Sequence, residues 1–219
     1  MPQPPNDPSV EIREMLRGDL RFAARLHSRA LPHGLFPRLG EPFLRAYLQT
    51  FVQSRDAVAL IATRDGRPSG FVVGAVDDRA HYRWVVRRRG LILGAVGFVA
   101  VLRRPVVAVH FARTRLRRYA AGLARLARGS APGVEVPAER RPAVLAHIAV
   151  ESDDRSSGVG CQLATAFLDQ VRDRGGVQAR LLTITDSPAG RFYEHLGWRP
   201  GETFDDGDGL RWTRYEIGL

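Results

Sequence analysis

The strongest constraint on the fold is a junction between a short apolar run and a helix. Residues 143–150 (AVLAHIAV) read as a strand, and residues 158–171 carry a helical pattern. An acidic link and then residues 155–160 (RSSGVG) connect the two. Glycine has no Cβ, so the backbone at Gly158 and Gly160 can approach a ligand closely. The unpaired N–H groups and the dipole of the first helical turn favour a phosphate there, and the Arg155 guanidinium can add a charge-assisted contact.

The remaining pattern predicts a mixed α/β fold. Strands are predicted at 10–15, 57–63, 71–76, 143–150, 179–185 and 210–217. Helices are predicted from Gly18-Asp19, with Leu20, Ala23, Ala24, Leu26 and His27 on one face; around Phe43, Leu44, Tyr47, Leu48 and Phe51; over 158–171; and over 188–196. The segment 31–37 is predicted to be a loop. Residues 1–9 are expected to form a disordered tail before a single domain at 10–219.

The positive charge is concentrated in one segment. All 33 basic residues are Arg, the net charge is +10, and 13 of those Arg fall between Arg79 and Val134, where there is no Asp or Glu. This segment either attracts an anionic partner or forms a solvated helical face. It lacks interleaved exposed aromatic residues and a recognition motif, which argues against binding to nucleic acid.

The apolar stretch Leu91–Leu102 lies inside this basic segment. It is shorter than the ~20 residues that a spanning helix needs, so no integral association with a membrane is expected. The stretch could lie on an anionic membrane surface, or it could pack against the domain or a second subunit. It is apolar nearly all round, which favours burial and permits a homodimer through residues 91–102.

Cysteine usage and the N-terminus bound the cellular context. The single Cys161 excludes an internal disulfide, and no His/Cys group has zinc spacing, so we expect no metal. The segment MPQPPNDPSV lacks the charged and apolar regions of a secretory signal, which predicts a cytoplasmic protein.

Two motifs resemble those of the Gcn5-related N-acetyltransferases. Residues 155–160 match the family's pyrophosphate loop, Arg/Gln-x-x-Gly-x-Gly/Ala. Residues 187–198 (SPAGRFYEHLGW) are similar to its second signature, commonly Asn-x-x-Ala-x-x-Phe-Tyr-x-x-x-Gly-Phe. Two positions depart from the pattern: Ser187 replaces the Asn, and Ser157 replaces a frequent Arg or Lys. The resemblance implies a mostly antiparallel central sheet flanked by helices, with residues 79–141 as a helical insertion between the third and fourth strands.

By this resemblance, acetyl-CoA is the co-substrate and binds in a notch between the fourth and fifth strands. The residues implied to bind it are Ile148, Ala149, Val150, Arg155, Ser156, Ser157, Gly158, Val159, Gly160, Ser187 and Ala189. Tyr193 falls at the family's general-acid position, where it would protonate the leaving thiolate. The alternative is that Tyr193 is a core aromatic residue beside Phe192.

The residue that deprotonates the substrate amine is left open. His147 and Glu151 lie near the end of the fourth strand. Uninterrupted alternation would place His147 on the sheet face opposite Ala146 and Ile148, which favours a packed histidine over a catalytic one. Glu151 can equally be a solvated link residue. His33 lies in a loop that forms one wall of the acceptor site in the family, so it is a third candidate for contact with substrate.

The resemblance therefore predicts an enzyme that transfers acetyl from acetyl-CoA to a primary amine of a small molecule by direct attack. An amino sugar or an anionic amine would suit the Arg-rich segment. Two alternatives stay open. One is a protein acetyltransferase acting on Lys or an N-terminus. The other is a non-catalytic module of the same fold that binds nucleic acid or an acidic partner through its 13 Arg.

Overall fold

The computed structural model describes residues 10–33, 35–102, 141–206 and 209–219. The strands are β1 (Val10–Glu14), β2 (Ala57–Arg64), β3 (Arg67–Ala75), β4 (Ala143–Val150), β5 (Gln178–Ile184), β6 (Arg199–Asp205) and β7 (Arg211–Gly218). The helices are α1 (Leu20–Ala30), α2 (Leu35–Leu39), α3 (Glu41–Gln53), α4 (Asp78–Leu102), α5 (Val159–Asp173) and α6 (Pro188–His195).

The strands form one seven-stranded sheet in the order β1-β2-β3-β4-β5-β7-β6. Every neighbouring pair is antiparallel except β4 and β5, which run parallel. This arrangement confirms the mixed, mostly antiparallel sheet flanked by helices. The hairpin of β2 and β3 turns at Asp65-Gly66, where both residues have positive φ.

The helices cover the two faces of the sheet. On one face, α1 and α3 bury a cluster that includes Leu20, Ala24 and Leu44 against Ile61 and Phe71 of the sheet. On the other face, α5 buries its apolar stripe, Val159, Leu163, Phe167, Leu168 and Val171, in a second cluster. The predicted apolar faces of α1 and α3 are thus confirmed, because their members Ala23, Leu26, His27, Leu48 and Phe51 are also buried.

A β-bulge interrupts the pairing of β4 with β3. Val73 pairs with His147 and Gly74 pairs with Leu145, so Ala146 has no partner in β3. A bulge shifts which side chains face each side of the sheet. Leu145, before the bulge, and Ile148, after it, both pack in the cluster under α5, although residues three apart lie on opposite faces of a regular strand.

Beyond the bulge, β4 also parts from β5. The two strands pair at Ala143 with Ala179 and at Val144 with Arg180, and they share no further partners. From there β4 continues beside β3 as far as Val150, whereas β5 continues beside β7 as far as Ile184. The sheet is therefore split, and a wedge-shaped gap opens between the second halves of β4 and β5.

Two elements differ from the sequence prediction. β6 was not predicted, because all seven of its residues are exposed and it contains Pro200 and Gly201, so it shows no apolar alternation. It is an edge strand that pairs with β7, which is where proline is tolerated. The short helix α2 begins at Leu35, within the segment 31–37 that was predicted to be a loop.

Helix α4 runs unbroken for 25 residues from Asp78. Its inner face packs through Leu93, Val96 and Ala100 against Leu39 and Phe43. Among the described residues, α4 also carries four exposed apolar side chains, Leu91, Ile92, Phe98 and Val99. The expected burial of the stretch 91–102 is thus met only in part, because Leu93, Val96 and Ala100 are half-buried and none of residues 91–100 is fully buried. A homodimer through this stretch stays a prediction.

The remainder of the predicted insertion, 103–140, and the predicted tail, 1–9, lie outside the described residues. Within the described parts of the chain, no helix combines the length and apolarity that crossing a bilayer requires.

Gly74 should be intolerant of a side chain. A Cβ added there would lie 2.3 Å from the carbonyl oxygen of Val144 and 2.5 Å from Cε2 of Phe167. We expect Gly74→Ala to lower the free energy of unfolding by about 1–3 kcal/mol, because backbone on one side and a core ring on the other must shift. Urea unfolding measures this. Gly18→Ala is the control, since its Cβ meets nothing within 4 Å, and it should stay within about 0.5 kcal/mol of wild type. Equal midpoints for the two variants would contradict the role of Gly74.

Candidate functional site

The loop between β4 and α5 has N–H groups at the start of α5 for which the described residues provide no backbone acceptor. Ser156 and Gly158 both adopt positive φ, +65° and +88°, so the chain turns sharply before α5. The first bond of helical spacing runs from the Gln162 N–H to the Gly158 carbonyl at 3.0 Å. The N–H groups of Val159 and Gly160 therefore precede the helical ladder and point out of the helix start. This is a positive helix end with available donors, which suits an anion.

Hydrogen bonds fix the shape of this loop. The Asp154 carboxylate accepts from the Ser69 hydroxyl at 2.6 Å and from Arg64 Nη1 at 3.2 Å, which ties the loop to β2 and β3. The Ser157 hydroxyl donates to the Asp154 carbonyl at 2.6 Å. Ser157 thus holds the loop together, in place of the phosphate-facing cation that is frequent in the motif. Arg155 is exposed beside the loop.

Gly160 lies beside α6 and the end of β4. An added Cβ would be in ordinary van der Waals contact, 3.4 Å from Cζ of Phe192 and 3.6 Å from Cγ2 of Val150. The N–H groups of the first turn of α5 and the exposed Arg155 fit a pyrophosphate.

Within the described residues, the edge of β4 that faces the gap is not paired with another strand beyond Val144. The Glu151 N–H bonds the Ser69 carbonyl at 2.8 Å, which fixes the phase of the β3–β4 ladder. By alternation, the N–H and C=O of Ala149 point toward β3, and those of Ile148 and Val150 point toward the gap. This orientation would let the backbone of Ile148 and Val150 pair with an extended ligand lying in the gap; their binding of acetyl-CoA stays a prediction.

Tyr193 lies in the core beside the gap. It is 5% exposed, and its ring packs against Phe192, Trp198 and Tyr215 with centroids 5.1, 5.8 and 6.1 Å away. Burial raises the pKa of the Tyr193 phenol well above its usual range. A phenol in this setting keeps its proton at physiological pH. This packing agrees with the role of a core aromatic residue, and the role of proton donor stays a prediction.

The second signature forms the start of α6. Ser187 precedes the helix, and its hydroxyl lies 3.4 Å from Oγ1 of Thr183 on β5. Ala189 is half-buried in the first turn, and Gly190 brings the helix onto the Tyr215 hydroxyl, where a Cβ would come within 2.8 Å. These contacts place α6 against β5 and β7, on the opposite side of the gap from β4.

The face expected for His147 was wrong in one respect. Because of the bulge, His147 lies on the same face as Ala146, the face covered by α1 and α3, and opposite Ile148. Its Nε2 lies 3.1 Å from the Tyr47 hydroxyl, and its ring meets His27 edge-on at 4.5 Å. Burial, and secondarily the neighbouring His27, lowers the pKa of His147 to about 3. The imidazole is therefore neutral and packed.

The other two candidates for contact with substrate lie apart from the vertex of the gap, which is the point where β4 leaves β5. The Glu151 carboxylate accepts from Arg29 Nη2 of α1 at 2.7 Å, so it links α1 to the end of β4. His33 is exposed in the connection between α1 and α2. The structure does not bring His33, Glu151 and His147 together.

A large cavity was not predicted from the sequence. It has a volume of about 1090 Å³ and lies between α3, α4 and the first half of β4. Tyr47 from α3, Gly97 from α4 and Ala146 from β4 are among its lining residues. Its existence depends on how α4 packs over α3, which apolar periodicity does not specify. Within the described ranges, no group of three or more His, Cys, Asp or Glu is placed to hold a metal ion.

Comparisons with known proteins agree with this geometry. The family model for the acetyltransferase (GNAT) domain matches residues 121–219. No curated protein matches the sequence. The fold is similar to that of solved structures over nearly the whole chain, at low identity.

Three such structures illustrate the likeness. The first is yncA from Salmonella typhimurium with its cofactor acetyl-CoA, at a TM-score of 0.59 and 13% identity, covering 96% of this chain and 94% of that one. The second is a ribosomal-protein-alanine N-acetyltransferase from Brucella melitensis, at a TM-score of 0.58 and 13% identity, covering 95% of this chain and 99% of that one. The third is a mutant form of the spermidine N-acetyltransferase SpeG from Vibrio cholerae, at a TM-score of 0.57 and 13% identity, covering 97% of this chain and 95% of that one.

Both motifs that carry the resemblance lie within residues 121–219, the part of the chain that matches the acetyltransferase (GNAT) domain, so the resemblance is confirmed there. The solved structures agree with it at the level of the fold.

His27 should make stability depend on pH. It is 2% exposed, neither ring nitrogen has a hydrogen-bond partner within the described ranges, and burial lowers its pKa to about 4. As pH falls below 6.5, His27 becomes protonated in the unfolded chain but stays neutral in the folded chain down to about pH 4. The free energy of unfolding is therefore highest above pH 6.5 and falls with pH below it, by about 1.4 kcal/mol per pH unit for each such histidine.

Between pH 6.5 and pH 5, we expect the free energy of unfolding of His27→Leu to fall by about 2 kcal/mol less than that of wild type. Urea unfolding across that pH range measures the difference. His33→Leu, at an exposed loop position, is the matched control and should keep the wild-type profile. A His27→Leu profile parallel to that of wild type would contradict a buried, neutral His27.

Proposed function

We propose that this chain transfers acetyl from acetyl-CoA to a primary amine of a small molecule. The observation that carries the proposal is the parting of β4 from β5 directly beside a loop with free N–H donors. A split parallel pair leaves strand-like backbone groups unpaired, and the loop adds an anion site at the open end of the same gap. An extended ligand that ends in a pyrophosphate satisfies both features at once.

Each part of the site would hold a different part of the donor. The N–H groups around Gly158 and Gly160, with the Arg155 guanidinium, would bind the pyrophosphate. The backbone of Ile148 and Val150 would pair with the amide-bearing arm, as an added strand would. Ser187 and Ala189 would form the facing wall at the start of α6. Bound acetyl-CoA supplies an acetyl group activated as a thioester.

The proposed chemistry is a direct attack by the amine nitrogen on the thioester carbonyl carbon. The C–N bond forms, the C–S bond breaks, and the amine nitrogen gives up one proton to water. Backbone N–H groups of β4 would stabilise the negative charge that develops on the carbonyl oxygen. Tyr193 would donate its proton to the departing sulfur as negative charge builds up there, and it would regain a proton from water.

No role as general base is proposed for His147. With a pKa of about 3, its imidazole is a poor acceptor for the proton of an ammonium group. Its hydrogen bond with Tyr47 instead gives it a structural part, because it fixes α3 against β4 beside the bulge.

The cavity beside β4 supports a small-molecule acceptor. Its volume of about 1090 Å³ and its largely apolar lining are those of a site for a small ligand.

Removing the Arg155 side chain should weaken binding of the donor. We expect Arg155→Ala to raise the Kd for acetyl-CoA about tenfold in calorimetric titration, because a charge-assisted contact to phosphate is lost. Arg87→Ala is matched in charge and exposure and lies on α4, away from the loop, so its Kd should stay within twofold of wild type. Equal weakening in both variants would reduce the effect to net charge and contradict the loop assignment. Absence of acetyl-CoA binding by wild type would refute the proposed function.

Removing the Tyr193 hydroxyl should affect chemistry and spare binding. We expect Tyr193→Phe to lower kcat about 100-fold or more, since general acid catalysis is lost, with the Kd for acetyl-CoA unchanged. The ring stays in place against Trp198, so the packing is kept. Release of the thiol with a primary amine as acceptor measures the rate. A kcat within threefold of wild type would leave Tyr193 as a core residue only.

A further inference from the structure

We infer that the cavity between α3, α4 and β4 binds the apolar body of the acceptor amine. This inference rests on the proposed function and adds to it the chemical class of the acceptor: a primary amine carried on an alkyl or aromatic body, without the hydroxyl groups of a sugar or the added charges of a polyamine.

The cavity begins where acyl transfer would take place. Val144 and Ala146 line it, and these residues bracket the point where β4 leaves β5 and bulges away from β3. Ala146 packs on the face covered by α1 and α3, whereas the loop that would bind the pyrophosphate lies at the start of α5, on the other face. A ligand in the cavity would thus approach the vertex of the gap from the side opposite the donor.

The walls of the cavity are largely apolar. Six aromatic rings contribute, from Phe36, Phe43, Tyr47, Phe51, Tyr82 and Phe98. The three charged residues on the wall, Asp78, Arg79 and Arg83, all belong to the first two turns of α4. Asp78 is already bonded to Arg180 Nη2 at 2.8 Å, so it is committed to fixing α4 against β5.

The polarity of the cavity gives the acceptor an orientation. Beside β4, the Tyr47 hydroxyl lies on the wall with its hydrogen bond to His147. Toward α4 the wall is formed by Leu93 and Gly97 opposite Phe43, whose Cε2 would be 3.4 Å from a Cβ at position 97. The amine nitrogen would lie at the β4 end, and the hydrocarbon body would extend between α3 and α4.

Polar bodies would bind poorly in this cavity. A hydroxyl or ammonium group that is moved from water to an apolar wall without a partner carries a large desolvation cost, as a general rule. An alkyl or aryl body gains by the same transfer, in proportion to the area that it buries. The volume of about 1090 Å³ is at the upper end of the usual range for ligand pockets, so the body can be larger than one ring.

The test is a series of linear amines, from propylamine to octylamine, with acetyl-CoA as donor and thiol release as the readout. Spermidine and glucosamine serve as polar comparators. We expect kcat/KM to rise about three- to fourfold for each added methylene, and octylamine to exceed both comparators.

Two leucine variants on α4 locate the effect. Gly97→Leu fills the cavity beside Phe43, and we expect it to lower kcat/KM for octylamine at least about tenfold and for propylamine less than about twofold. Ala95→Leu adds the same side chain at an exposed position that does not line the cavity. Its kcat/KM values across the linear amines should equal those of wild type. Circular dichroism and the Kd for acetyl-CoA check that each variant is folded. If Gly97→Leu is unfolded, Leu93→Gln replaces it. An amide in the cavity wall should reduce the rise of kcat/KM with each added methylene.

Each result decides the inference. A rising series that Gly97→Leu flattens supports it. Turnover of spermidine or glucosamine with no dependence on amine length overturns it and leaves the proposed function intact. A preference for octanoyl-CoA over acetyl-CoA that Gly97→Leu abolishes also overturns it, because the cavity would then take the acyl chain.

If wild type neither binds acetyl-CoA nor turns over any amine, the proposed function fails. Calorimetric titration of octylamine into the protein without acetyl-CoA then measures whether the cavity binds the amine. Binding that Gly97→Leu abolishes and Ala95→Leu keeps would support an apolar amine as the occupant, and absence of binding would overturn it.

Discussion

The close approach of β3 to β4 at Gly74 is the contact on which the site depends. At this position the Val144 carbonyl and the Phe167 ring lie where any Cβ would be. Just beyond this contact, Ala146 bulges out of the ladder. Bulges bend a strand and increase its twist, so β4 can stay beside β3 while it turns away from β5. That bend explains three features of the described structure: the gap, the gap-facing backbone of Ile148 and Val150, and the position of His147 under α1 and α3.

The two faces of the split sheet differ in the kind of ligand that they suit. On the α5 face, the first-turn N–H groups and Arg155 suit the phosphates of a donor, and Asp154 holds that loop on Ser69 and Arg64. On the opposite face, α3 and α4 enclose an apolar space that ends at Ala146. In the proposed reaction, donor and acceptor would approach the point where β4 leaves β5 from opposite faces of the sheet, as direct transfer in a ternary complex requires.

The sequence predicted well what depends on short-range patterns. The strand at 143–150, the loop at 155–160 and the α6 signature are local, so periodicity and motif spacing suffice to place them. The bulge at Ala146 could not be predicted in this way, because it depends on the partner strand through Gly74. That missed bulge is why alternation placed His147 on the face opposite Ala146.

Long-range packing also explains the other differences. The cavity depends on the distance between α3 and α4, which Phe43 and Gly97 set together from positions far apart in the chain. β6 carries no apolar pattern because it is an exposed edge. The signal that could have pointed to the cavity is the row of glycines in α4 at 90, 94 and 97, which leaves room on one side of an otherwise apolar helix.

The most direct test of the central claim is residue-resolved amide hydrogen exchange on β4, with and without acetyl-CoA. Without the ligand, the N–H groups of Ile148 and Val150 face the gap and should exchange faster than the N–H of Ala149, which points to β3. Bound acetyl-CoA should slow exchange at one or both of the gap-facing positions at least about tenfold and leave Ala149 unchanged. Protection that is equal at all three positions, or absent from β4 while the ligand is bound, would contradict a donor site in the gap between β4 and β5.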